Sequence, residues 1–227
     1  MSQGSVDWYV KKPFVLAVLG TSLSAGRLSG NLWWSRLMAN ARAVPEAVGP
    51  VVLQNFGKGS QQSPYGVAMA PDIAAFNPTH ILSEGFAIND CAALPTVISR
   101  TDHTDNMAAM RAIWKAKNPA VDITWQTMNG VSTAGASLRP DLATYYADEV
   151  TKAAAMGDRM LNHYAGLPSP PAPSGGWPKP LPDALTDSGD GLHPIWDGAL
   201  EVYFWPATIF WLRSRMAEFW GLPAPVA

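Results

Sequence analysis

Short apolar segments alternate with longer segments of helical spacing along most of this chain, and this alternation limits the folds that it can adopt. The continuous apolar run at residues 14–19 is typical of a strand that helices cover on both faces. The strand-then-helix unit repeats four times, which predicts a doubly wound α/β domain with a mostly parallel sheet. The predicted strands cover residues 14–19, 51–54, 79–83 and 121–125, and the predicted helices cover residues 28–44, 67–76, 106–117 and 140–164.

The last third of the chain follows this pattern less clearly. Residues 167–182 contain seven prolines and two glycines, which favours a surface lid or strap over a linker between domains. Residues 196–220 are rich in aromatic side chains and are predicted to be helical, whereas residues 166–190 show no clear fifth strand. A chain of 227 residues with 48% hydrophobic residues can bury one sizeable core, so we expect residues 1–227 to form a single domain.

Charge and cysteine content exclude several classes of function. The net charge of −2 and the pI of about 6.0 come without a basic stripe, so we expect no nucleic-acid partner. No apolar run is long enough to insert into a membrane as a helix. The run that follows Lys11 and Lys12 is too short for a signal peptide, so we expect a cytoplasmic location or signal-independent export. A single cysteine, Cys91, excludes an internal disulfide and a multi-cysteine metal site.

The turn after the first predicted strand, residues 20–26, contains a candidate nucleophile, Ser22. In open α/β sheets, ligands bind beyond the carboxyl ends of the strands, and the backbone N–H groups of a following helix can stabilise an oxyanion there. Taken alone, however, a glycine–serine turn is more typical of a helix cap. Ser22 is therefore a hypothesis that needs a base and further donors elsewhere in the chain.

Those partners are available in three other segments. Residues 55–60 follow the second predicted strand and are small enough for close backbone approach to a ligand. Asn89 follows the third strand and can donate an amide hydrogen bond into the same cleft, although a helix cap is the simpler interpretation. Asp190 lies three residues before His193, so one turn can supply both a base and the carboxylate that orients it. A structural histidine is the alternative for His193.

The other histidines are less suited to catalysis. His80 opens a strand and is interpreted as structural. His103 lies between Asp102 and Asp105 at a helix start, with a spacing that matches no common metal site. His163 lies near the predicted end of a long helix, which favours a cation. We therefore expect neither a metal nor an organic cofactor.

Four segments together resemble the sequence blocks of the SGNH (GDSL-type) hydrolase family, and the resemblance covers almost the whole chain. The four segments are residues 20–24, 55–60, 88–90 and 190–193. The resemblance implies a three-layer α/β/α sandwich with a flavodoxin-like sheet of about five parallel strands. It also implies a catalytic triad and an oxyanion hole. The triad would be Ser22, His193 and Asp190, and the oxyanion donors would be the backbone N–H of Ser22, that of Gly59 or Ser60, and the amide of Asn89.

The chain departs from the family pattern at three positions. Thr21 occupies the place of the usual Asp, Ser60 that of the oxyanion-hole glycine, and Ala87 that of a glycine in the third block. Every side chain that the chemistry requires is present, so these departures indicate a divergent member of the family.

The resemblance predicts an ester substrate, either a small molecule or a carbohydrate. Small residues near Ser22 favour a short acyl group such as acetyl. Thr21, Trp33 and Trp196 are candidate substrate contacts, because flat aromatic faces can hold sugar rings, although most tryptophans pack in cores. The alternatives are a phosphate-binding protein, a carbohydrate-binding protein without catalytic activity, and an α/β-hydrolase.

Overall fold

The structure is a computed structural model, and it describes residues 11–25, 32–93, 96–165, 192–194 and 204–226. At Leu32, Trp33 and Ala134 it describes the backbone alone. Five strands form one sheet: β1 (Phe14–Leu19), β2 (Val51–Asn55), β3 (His80–Glu84), β4 (Asp122–Thr127) and β5 (Arg159–Asn162). The helices are α1 (Leu32–Ala43), α2 (Ser63–Phe76), α3 (Ala87–Asp90), α4 (Arg100–Lys117), α5 (Thr133–Ser137), α6 (Leu142–Ala155) and α7 (Trp205–Trp220).

The sheet is parallel throughout and has the order β2-β1-β3-β4-β5. Successive residues of a strand point to opposite faces, so a strand in the middle of the sheet supplies two cores. In β1, Leu16 and Val18 pack with α1 and α7, whereas Ala17 and Leu19 pack with α2 and α4. The predicted three-layer α/β/α fold with about five parallel strands is confirmed.

The helix predicted over residues 140–164 is wrong in its second half. α6 ends at Ala155, and Gly157 adopts a left-handed φ of 70° that most side chains avoid. Residues 159–162 then form β5, paired with β4 from Thr124 to Thr127. This edge strand has only four residues and is partly exposed, so it lacks the continuous apolar run that identifies the other strands.

Other helix boundaries differ from the predictions at their starts. α2 begins at Ser63 with a proline in its first turn. α4 begins at Arg100, where the side chain of Ser99 accepts a hydrogen bond from the N–H of Asp102. Part of the region from 166 to 203, including the proline-rich segment 167–182, lies outside the described residues. None of the described helices combines the length and the hydropathy needed to cross a membrane.

Candidate active site

Ser22 and His193 meet at the carboxyl edge of the sheet. Ser22 lies in the turn after β1, and its Oγ is 2.7 Å from His193 Nε2. Both side chains are more than nine-tenths buried, with exposed fractions of 8% and 6%. A serine hydroxyl at this distance from an imidazole nitrogen can transfer its proton directly.

A buried carboxyl group, Glu84, lies beneath this turn. It ends β3, and its oxygens accept hydrogen bonds from Thr21 Oγ1 at 2.7 Å, from the N–H of Ser24 at 3.3 Å and from Ser24 Oγ. Burial raises the pKa of Glu84, and the hydrogen bonds from Ser24 and Thr21 oppose that shift. A Cβ at Gly20 would lie 2.4 Å from Glu84 Oε1, so glycine is required where the turn passes over the carboxyl group.

Glu84 was not predicted from the sequence as a site residue, although its place as an acidic residue at the end of an apolar strand could have indicated such a role. Thr21, a predicted substrate contact, lines the cleft, but its hydroxyl donates to Glu84. This contact positions the turn that bears Ser22, since the hydroxyl groups of Thr21 and Ser24, on either side of the candidate nucleophile, donate to the same carboxyl group.

The loop after β2 packs against the turn that bears Ser22. Asn55 Nδ2 donates to the carbonyl oxygen of Ser24 at 2.8 Å, and the N–H of Lys58 donates to that of Gly20 at 3.0 Å. A Cβ at Gly59 would lie 3.7 Å from Ser22 Cβ, so Gly59 is directly beside the candidate nucleophile. Ser60 is exposed and has a left-handed φ of 59°.

Asn89 faces the same cleft from α3. Its side chain is 5% exposed, and Nδ2 donates to the carbonyl oxygen of Gln61 at 2.7 Å. The carbonyl oxygen of Asn89 accepts from Gln62 Nε2 at 3.1 Å. An amide NH₂ carries two hydrogens, so one remains for a ligand after the bond to Gln61.

Asn129, which follows β4, holds the backbone beside His193. Its Nδ2 donates to the carbonyl oxygen of Leu192 at 2.8 Å, and its own carbonyl accepts from Tyr146 Oη at 3.2 Å. Asn129 was not among the residues predicted from the sequence, although, like Ser22 and Asn89, it lies in a segment that follows a strand. The described cleft has a volume of about 10 Å³ and is lined by Thr21, Ser22, Leu23, Ile88, Asn89, Met128, Asn129, Leu192 and His193.

Three of the predicted site residues cannot be placed. Asp190 and Trp196 lie outside the described residues, as does the side chain of Trp33. The neighbouring Trp34 is half-buried and packs against the core. The orienting carboxylate and the aromatic contacts therefore stay predictions.

The remaining histidines are buried. His80 stacks on Phe14 at 4.2 Å between ring centroids, and burial lowers its pKa to about 4. His163 follows β5 and stacks on Phe204, and burial lowers its pKa to about 3, so the prediction of a cation there is wrong. His103 contacts Asp90 and Glu149 rather than its neighbours in sequence. No group of three or more His, Cys, Asp or Glu side chains within the described ranges is arranged to hold a metal ion.

Several solved hydrolase structures share this fold. A lipase/acylhydrolase from Enterococcus faecalis matches with a TM-score of 0.64 at 14% identity, covering 94% of this chain and 99% of its own. A GDSL-like lipase from Bacteroides thetaiotaomicron matches with a TM-score of 0.62 at 14% identity, covering 90% and 88%. An acetyl xylan esterase matches with a TM-score of 0.53 at 15% identity, covering 65% and 76%. No protein-family profile and no curated protein sequence matches the chain. The fold is therefore that of the GDSL-type hydrolases.

Proposed function

We propose that this protein is a divergent, single-domain SGNH-type serine ester hydrolase. The observation that carries the proposal is the 2.7 Å contact between Ser22 Oγ and His193 Nε2 at the edge of the sheet where α/β proteins bind ligands. The two residues are 171 positions apart in sequence, so the fold itself brings them together. Gly59 lies beside Ser22 in the loop after β2, and Asn89 on α3 lines the cleft.

The proposed reaction begins with proton transfer. His193 Nε2 removes the proton of Ser22 Oγ as the oxygen attacks the ester carbonyl carbon, and the carbonyl π electrons move to the oxygen. The resulting tetrahedral intermediate collapses, its C–O bond to the alcohol breaks, and His193 gives the proton to the leaving oxygen. Water then attacks the acyl-enzyme in the same way and releases the acid and free Ser22. Asp190 is proposed to hold His193 Nδ1–H during both steps.

The oxyanion would be stabilised by three donors on separate segments of the chain. These are the backbone N–H of Ser22, that of Gly59 or Ser60, and Asn89 Nδ2. The turn that bears Ser22 is hydrogen-bonded to the buried Glu84, and the N–H of Lys58 in the loop after β2 donates to Gly20 O. These contacts hold the backbone donors in place before the substrate binds. Loss of one such donor typically costs about 2.7–4 kcal/mol of transition-state stabilisation.

For the substrate, we propose a short-chain ester, with acetyl groups on carbohydrate as the preferred class. The described cleft at Ser22 is narrow, with a volume of about 10 Å³, which favours a small acyl group over a long one. One protein of the same fold is named as an acetyl xylan esterase. Trp33 and Trp196 would then contact the sugar.

A second candidate is a longer acyl chain. A cavity of about 360 Å³ lies beside the loop after β4 and is lined mainly by apolar groups, including Val131, Ala136, Leu142 and Tyr164. Gly130, which also lines it, directly follows the cleft residue Asn129. This cavity would take an acyl chain if the enzyme prefers longer esters.

Hydrolysis of a graded ester series tests the proposal and separates the two candidates. Wild-type protein, Ser22→Ala and the matched control Ser214→Ala on α7 are assayed on p-nitrophenyl esters from acetate to palmitate and on an acetylated polysaccharide. We expect activity in the wild type and in Ser214→Ala, highest on acetate, and loss in Ser22→Ala. Activity that rises with chain length would favour the second candidate. No hydrolysis by the wild type would favour a carbohydrate-binding protein without catalytic activity.

A further inference from the structure

A buried ionisable cluster lies directly behind Asn89. His103 Nδ1 is 2.7 Å from Asp90 Oδ2, and His103 Nε2 is 3.5 Å from Glu149 Oε1. All three side chains are at most 1% exposed. The proposed mechanism uses none of them, and burying three ionisable groups is costly unless their charges are paired. The cluster therefore requires an explanation beyond packing.

The cluster holds the single helical turn that bears Asn89. α3 contains four residues, too few for a helix to be stable by itself in water. Glu149 Oε1 accepts from the N–H of Ala87 at 3.0 Å, the first residue of α3. Asp90, its last residue, binds His103 with one carboxyl oxygen and accepts from the N–H of Ser63 with the other at 2.8 Å. The two ends of α3 are thus fixed by the two carboxyl groups that face His103.

The backbone just before α3 is strained at one residue and closely packed at the residue before it. The hydrogen bonds made by Glu149 and Asp90 hold the backbone in this shape. Phe86, immediately before α3, has a left-handed φ of 77°, a conformation that is costly for a bulky side chain. A Cβ at Gly85 would lie 2.1 Å from Glu149 Oε1, so the carboxyl group lies directly against the backbone. The turn keeps this shape because α4 and α6 hold it.

We infer that His103, with Asp90 and Glu149, is a positioning group that sets the place of the Asn89 amide in the oxyanion hole. This inference rests on the proposed function. His103 acts through α3 and does not contact the substrate cleft that the described residues line.

The charge state of His103 supports this role. Burial alone would lower its pKa, but the contacts with Asp90 and Glu149 outweigh that effect and raise the pKa to about 9. An imidazolium has N–H groups at both ring nitrogens, which matches the two carboxyl groups on either side. The titratable or charged groups around the cluster are Asp90 and Cys91 on or next to α3, Tyr145, Asp148 and Glu149 on α6, and Arg139.

Removal of the positive charge would leave two buried carboxylates facing each other. The two carboxylates repel each other most when both are ionised, so His103→Gln disturbs α3 most at high pH. Protonation of Glu149, whose pKa burial raises, relieves this repulsion as the pH falls. We expect the kcat on p-nitrophenyl acetate to fall about tenfold at pH 8, with KM little changed, below the hundredfold or greater loss typical of removing a donor. The ratio of wild-type to variant kcat should decrease as the pH is lowered towards 6.

A double-mutant cycle separates positioning from general destabilisation. If His103 acts through Asn89, then His103→Gln changes kcat less than about twofold in an Asn89→Ala background. His80→Gln is the matched control, because His80 is also a buried histidine but lies at the opposite end of β3. It should lower stability without changing kcat. Equal effects of His103→Gln in both backgrounds, or an unchanged kcat, would overturn the inference.

Two further measurements keep the test decisive. If His103→Gln does not fold, Glu149→Gln replaces it, since the amide oxygen still accepts from Ala87, and a kcat reduction of about threefold that vanishes with Asn89→Ala is expected. Hydrogen exchange of residues 86–91, followed by mass spectrometry, needs no enzymatic activity. Faster exchange in the cluster variant than in wild type and His80→Gln supports the inference, and unchanged exchange overturns it. Absence of ester hydrolysis in the wild type would instead count against the proposed function.

Discussion

Restoring the acidic residue that the SGNH pattern has at position 21 should destabilise this protein in a pH-dependent way. Thr21 Oγ1 lies 2.7 Å from Glu84 Oε2, and the two residues are 1% and 0% exposed. Three donors converge on the Glu84 oxygens, which suits the ionised carboxylate. Thr21→Asp would place a second carboxylate within hydrogen-bond distance of the first, and two such groups cannot both ionise.

The cost follows from the proton that the folded pair must retain. An aspartate in the unfolded chain has a pKa of about 3.9, so retaining one proton costs about 1.36 kcal/mol for each pH unit above that value. Because burial raises the pKa of Glu84, these costs are upper bounds: at most about 4 kcal/mol at pH 7 and about 1.5 kcal/mol at pH 5. The sign follows from linkage, because the folded state binds the extra proton and loses stability as the pH rises.

Urea unfolding followed by tryptophan fluorescence measures this effect. Thr21→Asn is the matched control, since it has the same shape as the aspartate without the charge, and its loss of stability should not depend on pH. The double variant Thr21→Asp/Glu84→Gln has a single carboxyl group and should recover most of the loss at pH 7. An equal loss at pH 5 and pH 7, or no recovery in the double variant, would show that the two carboxyl groups do not share a proton.

Other predictions concern positions around the site and the core. The left-handed φ of Ser60, 59°, costs about 1–2 kcal/mol. Ser60→Gly should therefore raise the free energy of unfolding in urea by up to about 1 kcal/mol. A gain of the same size in Ser60→Ala would contradict this explanation. The lowered pKa of His80, about 4, gives stability that is present above pH 6.5 and lost as the pH falls from 6.5 to 4. His80→Gln should therefore show a smaller Tm decrease between pH 7 and pH 5 than the wild type, and an identical decrease would refute this interpretation. Asn129 binds the carbonyl of Leu192 beside His193, so Asn129→Ala should lower kcat on p-nitrophenyl acetate at least tenfold, which an unchanged kcat would contradict.

The sequence predicted the parts of the fold that have strong local signals. β1 is a continuous apolar run and is buried almost completely, so the strand and the turn after it could be located from residues 14–26. β5 could not, because its four residues pair along one edge with β4 and have no apolar pattern of their own. The short helix α3 was also not predicted, since its shape is imposed by side chains from α4 and α6.

Residues of the candidate site could be predicted where they lie in recognisable sequence blocks. Ser22, His193 and Asn89 lie together at one edge of the sheet, and their roles in catalysis stay predictions. Glu84, Asn129 and the partners of His103 could not be inferred, because each acts through a contact between residues distant in sequence. His103 lies near the start of α4 beside Asp102, as predicted, but its contacts with Asp90 and Glu149 could not be seen from those neighbours.

The central claim is that Ser22 is a nucleophile activated by His193. Incubation with a fluorophosphonate, followed by tandem mass spectrometry of the digested protein, tests it directly, because the reagent forms a stable bond only with an activated serine. We expect a single modified serine in the wild type, at Ser22, and no labelling in Ser22→Ala or in His193→Ala. Labelling of another serine, or labelling that persists in Ser22→Ala, would contradict it.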